Sequence, residues 1–281
     1  MLRKRLTAPS ATATTTATAT TTLRVLTRSL SQSQFTMATQ QQQQQLRNKI
    51  TLYVDTVSPF AYEAYYVLRH DAVFRNVEVS VVPIFLGGLM HKCGNTAPIN
   101  IKNKDKWINV ERIRWAKAFN VPIVSDMPPN FPPLTLSIMR ALCAISASEG
   151  GAANDQQQQP HLTKALDALF AKYWVEGVPT HQPEVLRSVL GEVFGAAEAE
   201  KILAEANTPG NKALLLQNTD KAFDSGAFGL PWMVCTNGSS GATEGFWGVD
   251  HLGQVAQFLG LRDRQQQQQQ QQQSAGWKSV L

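Results

Sequence analysis

Ser58 and Pro59 stand at a place in the chain where chemistry could happen. They follow the apolar run Ile50-Thr51-Leu52-Tyr53-Val54, which Asp55 ends, and they precede Tyr62, Tyr65, Tyr66 and Leu68 at helical spacing. The pattern reads as a strand, a short turn and a helix start. Ser before Pro is a helix-start pair: the hydroxyl accepts from a backbone N–H, and the Pro ring fits the first turn. A strand feeding a helix start leaves N–H donors and a positive dipole end facing outward, which suits a thiolate or a carboxylate. Read alone, Ser58 is a helix cap, because most caps have no further role.

The remaining reactive side chains narrow the chemistry. The three cysteines, Cys93, Cys143 and Cys235, form no C-x-x-C pair. Neither a disulfide framework nor a zinc spacing follows from them, so a reduced, intracellular, metal-free protein is expected. The formal net charge is +5, and all of it lies on Arg3, Lys4, Arg5, Arg24 and Arg28, ahead of the first acidic residue, Asp55. The rest of the chain is near neutral, so the sequence pI of 9.2 does not point to nucleic acid. No apolar run reaches roughly 18 residues, and no membrane span is expected.

The elements that must hold Ser58 come next. Residues 1–46 combine a Thr-, Ser-, Ala- and Arg-rich leader with the tract Gln40–Gln45. The leader has the composition of a mitochondrial transit peptide, or else of a tail with no address. Met37 could start a form without it, and Ser279-Val280-Leu281 is a loose match to the peroxisomal Ser-Lys-Leu signal. Peroxisomal or cytosolic forms are therefore alternatives to the mitochondrial one. Two further tracts, Gln156–Gln159 and Gln265–Gln273, are expected to loop out or trail.

A second strand is expected over Val77–Ile84, parallel to the first across the helix, followed by a loop over Phe85–Lys104. Helices are expected from Asp105 to about Phe228. One carries Trp107, Val110, Ile113, Arg114 and Ala118 on one face, and another buries Leu162, Leu166, Leu169, Phe170, Tyr173 and Trp174. Trp232–Thr236 and Ala242–Trp247 read as paired strands, and Asp250 as the cap of a last helix over His251–Leu259.

A βαβ half and a ββα half joined by helices resembles an α/β thioredoxin-like fold of the DsbA type with a large all-helical insertion domain. Three motifs sharpen the likeness: Ser58-Pro59-Phe60-Ala61 where such folds carry C-x-x-C, Gly229-Leu230-Pro231 before the third strand, and Phe246-Trp247-Gly248-Val249-Asp250 before the last helix. In order and spacing the chain resembles a kappa-class glutathione transferase, a class related to 2-hydroxychromene-2-carboxylate isomerase. The resemblance spans about residues 49–261. It implies a thioredoxin-like domain from 47–104 and 226–262, a helical domain over 105–225, and a tail over 263–281.

The resemblance also implies roles. Ser58 is the catalytic residue, its hydroxyl facing the sulfur of glutathione, and Pro59 and Phe60 border the tripeptide. The Leu230 main chain pairs with the cysteinyl part, beside a cis Pro231. Asn95 and Lys104 reach glutathione from the long loop, and Asp250 receives its glutamyl ammonium. Val249 departs from the family pattern, where some members have a Ser that adds a contact. On the residues alone, Lys104 is an exposed lysine, Asp250 a cap and Pro231 a strand-start proline. With Ser58 and Ala61 in place of cysteines, dithiol exchange is lost and activation of a bound thiol remains.

The implied function is a glutathione transferase, with glutathione as co-substrate, a small hydrophobic electrophile as second substrate, no metal and a homodimeric state. The alternatives are a glutathione-dependent isomerase using the same Ser58, and a cysteine-less thioredoxin-like adaptor that performs no chemistry.

Overall fold

Ile50, Leu52 and Val54 are fully buried and form the centre of strand β1 (Lys49–Val54). The computed structural model describes residues 47–150 and 159–261. The leader, the first and last glutamine tracts, Gln156–Gln158 and the 263–281 tail lie outside the described residues. β1 runs into helix α1 (Pro59–His70), and strand β2 (Glu78–Pro83) returns parallel to β1, with Leu52 opposite Val81. Strand β3 (Trp232–Thr236) lies antiparallel on the other side of β1, with Tyr53 opposite Trp232. Strand β4 (Thr243–Trp247) pairs antiparallel with β3, giving the order β2-β1-β3-β4.

Between β2 and β3 the chain is helical: α2 (Leu86–Lys92), α3 (Lys104–Ala118), α4 (Leu136–Ser148), α5 (Pro160–Phe170), α6 (Pro183–Phe194), α7 (Ala196–Ala206) and α8 (Pro209–Asp224). A short helix, α9 (Leu252–Phe258), closes the described chain. α4 and α8 pack on β2, so the helical block covers one edge of the sheet and the turn at the end of β1. This is the thioredoxin-like plan with a helical insertion that the sequence implies. Among the described residues, no helix is long and apolar enough to cross a membrane.

Four local expectations are corrected. Phe85–Lys104 is not all loop: Leu86–Lys92 is helical, because Leu89 is fully buried and anchors one face despite Gly87 and Gly88. α3 turns its Trp107 and Val110 outward, 54% and 41% exposed, and buries Arg112 instead. Burial of that guanidinium is tolerated because its donors are met: Nε by Asn109 Oδ1 at 2.8 Å, Nη1 by Val124 O at 2.7 Å and Nη2 by Ser125 O at 2.6 Å.

Gln159 does not loop out. Its amide accepts from Val81 N at 2.8 Å and donates to Val81 O at 3.0 Å, standing in for a missing strand partner on the sheet edge. Asp250 is not a helix cap. It sits inside a 3₁₀ turn, Val249–His251, and His251 occupies the position ahead of α9. The expected stripe from Leu162 to Trp174 is buried throughout, its last residues in a π-turn over Ala171–Val175.

Candidate functional site

Asp55, fully buried, organises the turn that carries Ser58. Its Oδ1 accepts from Val57 N at 3.2 Å and its Oδ2 from Leu86 N at 2.8 Å, while its carbonyl accepts from Ser58 N at 3.1 Å. Burial pushes its carboxyl up to about 6, and the hydrogen bonds from Leu86, Thr135 and Val57 oppose that rise. Trp174 locks the same turn from the helical block, donating from Nε1 to Thr56 O at 2.9 Å. Sequence reasoning saw Asp55 only as a strand end. An acid directly between a buried strand and a helix cap was the available signal.

On this platform Ser58, 6% exposed, caps α1. Its Oγ accepts from Ala61 N at 3.1 Å. Accepting there leaves the hydroxyl proton to be donated elsewhere. Pro59 follows, buried in the first helical position, with Phe60 half-buried beside it. The helix start thus presents a hydroxyl donor and the positive end of a three-turn helix together.

The second wall comes from the β3 side. Tyr53 faces Trp232 at the end of the β1–β3 ladder, so Pro231 and Leu230 lie just beyond it, alongside the residues leading to Ser58. The Leu230–Pro231 bond is cis, and both residues are buried. Pro231 O accepts from Gly248 N at 3.1 Å, which brings the Val249–His251 turn to the same end of the sheet, packed against α1. Gly248 has φ +96, and a Cβ there would overlap the Asp250 carboxylate. A glycine therefore holds the position that sets Asp250, which is half-exposed.

α2 is tied to the same loop. Cys93 Sγ lies 3.4 Å from Ala227 O, and Asn95 Nδ2 donates to Phe228 O at 2.8 Å. Cys93 is half-buried. Phe228 and Trp247, both more than two-fifths exposed, pack with ring centroids 4.9 Å apart and planes tilted by 45°, beside Gly229. Sequence reasoning gave this pair no role, since an aromatic at a strand end reads equally as core.

The structure thus brings Ser58, Pro59, Phe60, Leu230, Pro231, Asn95 and Asp250 to one end of the sheet. Lys104 lies at the exposed start of α3, and among the described residues no hydrogen bond or ion pair joins it to the others. Cys143 and Cys235 are buried thiols pushed up to about 12 by burial, so neither supplies a thiolate. Among the described residues, no group of His, Cys, Asp and Glu side chains is arranged to hold a metal ion.

A second buried acid lies behind the site. Glu63 on α1 is fully buried, both of its carboxyl oxygens lack a hydrogen-bond partner, and burial pushes its pKa up to about 9. Arg112 lowers that value only in part. Glu63 is therefore a neutral acid inside the core at physiological pH.

Residues 49–260 match the family described as a DSBA-like thioredoxin domain. The chain is 24% identical over 212 residues to glutathione S-transferase kappa 1 of Caenorhabditis elegans, covering 75% of this chain and 90% of the relative. It is 25% identical over 216 residues to glutathione S-transferase kappa 1 of Homo sapiens, covering 76% and 92%. A solved 2-hydroxychromene-2-carboxylate isomerase superposes with a TM-score of 0.59 at 21% identity, over 80% of this chain and 98% of that one. The chain belongs to the DSBA-like thioredoxin domain family.

Proposed function

We propose that this chain is a kappa-class glutathione transferase that joins glutathione to small hydrophobic electrophiles. The observation that carries the reading is the bonding of Ser58. Its Oγ is already occupied as an acceptor by Ala61 N–H, so its own proton is the group it can offer a ligand. A glutathione sulfur placed against Ser58 would receive that O–H and the field of the α1 start. Both favour thiolate over thiol, and the thiol proton leaves to solvent. The thiolate then forms a C–S bond with the electrophile, and a leaving group such as halide departs with the electron pair of the broken bond.

The remaining residues position the tripeptide. The Leu230 main chain lies beyond the last ladder pair, where it can pair with the cysteinyl backbone. Asp250 offers a carboxylate to the glutamyl ammonium. Asn95 acts through the loop it ties at Phe228, leaving its amide oxygen for the ligand. Lys104 would reach a glutathione carboxylate only by extending from the start of α3. The exposed Phe228–Trp247 pair is an aromatic wall for a hydrophobic second substrate. The leader is proposed to direct the chain to mitochondria, and the working unit is proposed to be a homodimer.

The likeness to the isomerase favours a second reading, in which the same thiolate adds to an unsaturated substrate and leaves again. Conjugation of an aryl halide, followed by absorbance, tests the first. Wild type should turn over, and Ser58→Ala should lose about a hundredfold or more in rate, as removal of one charge-stabilising donor does. Folded wild type that binds glutathione without conjugating would favour the isomerase, and folded wild type that does not bind it would leave a thioredoxin-like adaptor.

A further inference from the structure

A cavity of about 630 Å³ opens between α2, α4 and α8, and none of the residues assigned to glutathione lines it. Its apolar wall includes Phe85, Leu136 and Leu215. Its charged rim is unbalanced. Lys92 is taken up by Asp220, Nζ to Oδ1 at 2.6 Å, which also accounts for the only acid in the lining. Arg140 and Lys212 remain, and among the described residues neither has an acidic partner. Two cations on the rim of a partly apolar cavity, with its one lining carboxylate already paired, attract an anion.

We infer that this cavity binds an anionic amphiphile: a carboxylate or phosphate head held by Arg140 and Lys212, with an apolar body along Phe85, Leu136 and Leu215. The chemistry of the wall selects for both ends of such a molecule. A free inorganic anion would leave the apolar wall wet, and a neutral hydrocarbon would leave Arg140 and Lys212 without a counter-charge. At roughly 30 Å³ per water-sized group, the space accommodates about twenty non-hydrogen atoms, enough for a medium-length chain with its head group. The site stands independently of the glutathione reading, since it shares no residue with it.

The test is calorimetric titration of the full chain with decanoate, decyl phosphate and decanol. Decanoate, decyl phosphate or both should bind, and their ratio tells which head group the site prefers. Decanol should bind about tenfold more weakly or worse, because it lacks the charge. Lys212→Glu, an exposed position on α8 that leaves the packing intact, should weaken the anionic probes by about tenfold while leaving decanol and glutathione binding unchanged. Arg140→Gln should do the same. Equal affinity for decanol and decanoate, or undiminished decanoate binding in Lys212→Glu, would overturn the assignment. Loss of glutathione binding in wild type would not touch it.

Discussion

Replacing Glu63 with Gln should make the protein more stable at neutral pH and change nothing in acid. In the folded chain this carboxyl is fully buried, has no hydrogen-bond partner on either oxygen, and titrates near 9 instead of its ordinary 4.5. Below the ordinary value both folded and unfolded chains hold the proton, so Glu63 contributes no pH dependence there. Between that value and about 9 the unfolded chain releases the proton and the folded chain keeps it. Stability then falls as pH rises, by about 1.4 kcal/mol per pH unit. By neutral pH the accumulated loss is about 3 kcal/mol.

Glu63→Gln has nearly the same shape and is neutral throughout, so it escapes this loss. Urea unfolding of both proteins, followed by tryptophan fluorescence from about pH 4 to about pH 8, measures the difference directly. The two should coincide in acid and separate by about 3 kcal/mol at neutral pH, with Gln the more stable. Asp55, raised in the same direction, acts identically in both proteins and cancels. Should Glu63→Gln instead prove less stable at neutral pH, the carboxyl is ionised and paired with Arg112, and the neutral-acid account is wrong.

Other consequences are nearer the site. Asn95→Ala frees the Phe228 carbonyl from α2 and should raise the glutathione Kd about fivefold, the worth of one hydrogen bond, with the melting temperature little changed. Gly248→Ala forces a side chain into φ +96 and against the Asp250 carboxylate. It should lose about 1–3 kcal/mol in urea unfolding and weaken glutathione binding, whereas Gly210→Ala, with open space around it, should do neither. Gln159→Ala removes both hydrogen bonds to Val81 on the sheet edge and should lower stability by about 1–2 kcal/mol without changing glutathione affinity.

The parts of the fold legible in the sequence are those where one physical signal dominates. Ile50, Leu52 and Val54 alternate into a core, Ser58-Pro59 starts a helix, and the stripe from Leu162 to Trp174 has one apolar face. Positions where two signals compete were misread. Arg112 looks like a solvated residue of α3, yet Asn109 Oδ1 and the backbone carbonyls of Val124 and Ser125 meet its donors, so it goes inside while Trp107 stays out. The glycines of α2 suggested a loop, but the burial of Leu89 prevailed.

Of the site, the residues adjacent in sequence to Ser58 and Pro231 could be read from their motifs. What joins them could not. The Asp55 bond to Leu86 N and the Asn95 bond to Phe228 O link segments 31 and 133 residues apart, and no local pattern encodes such a contact. Lys104, which the family likeness places among the ligands, lies at the exposed start of α3.

The most direct test of the central claim is the ionisation of bound glutathione. Calorimetry establishes binding to wild type and Ser58→Ala, and the ultraviolet absorbance of the thiolate is then followed through a pH titration of each complex. The account predicts that wild type binds glutathione with a thiol pKa below that of the free tripeptide, and that Ser58→Ala raises it by about one unit or more, the loss of one charge-assisted hydrogen bond. An unchanged pKa in Ser58→Ala would show that Ser58 is a helix cap and nothing else.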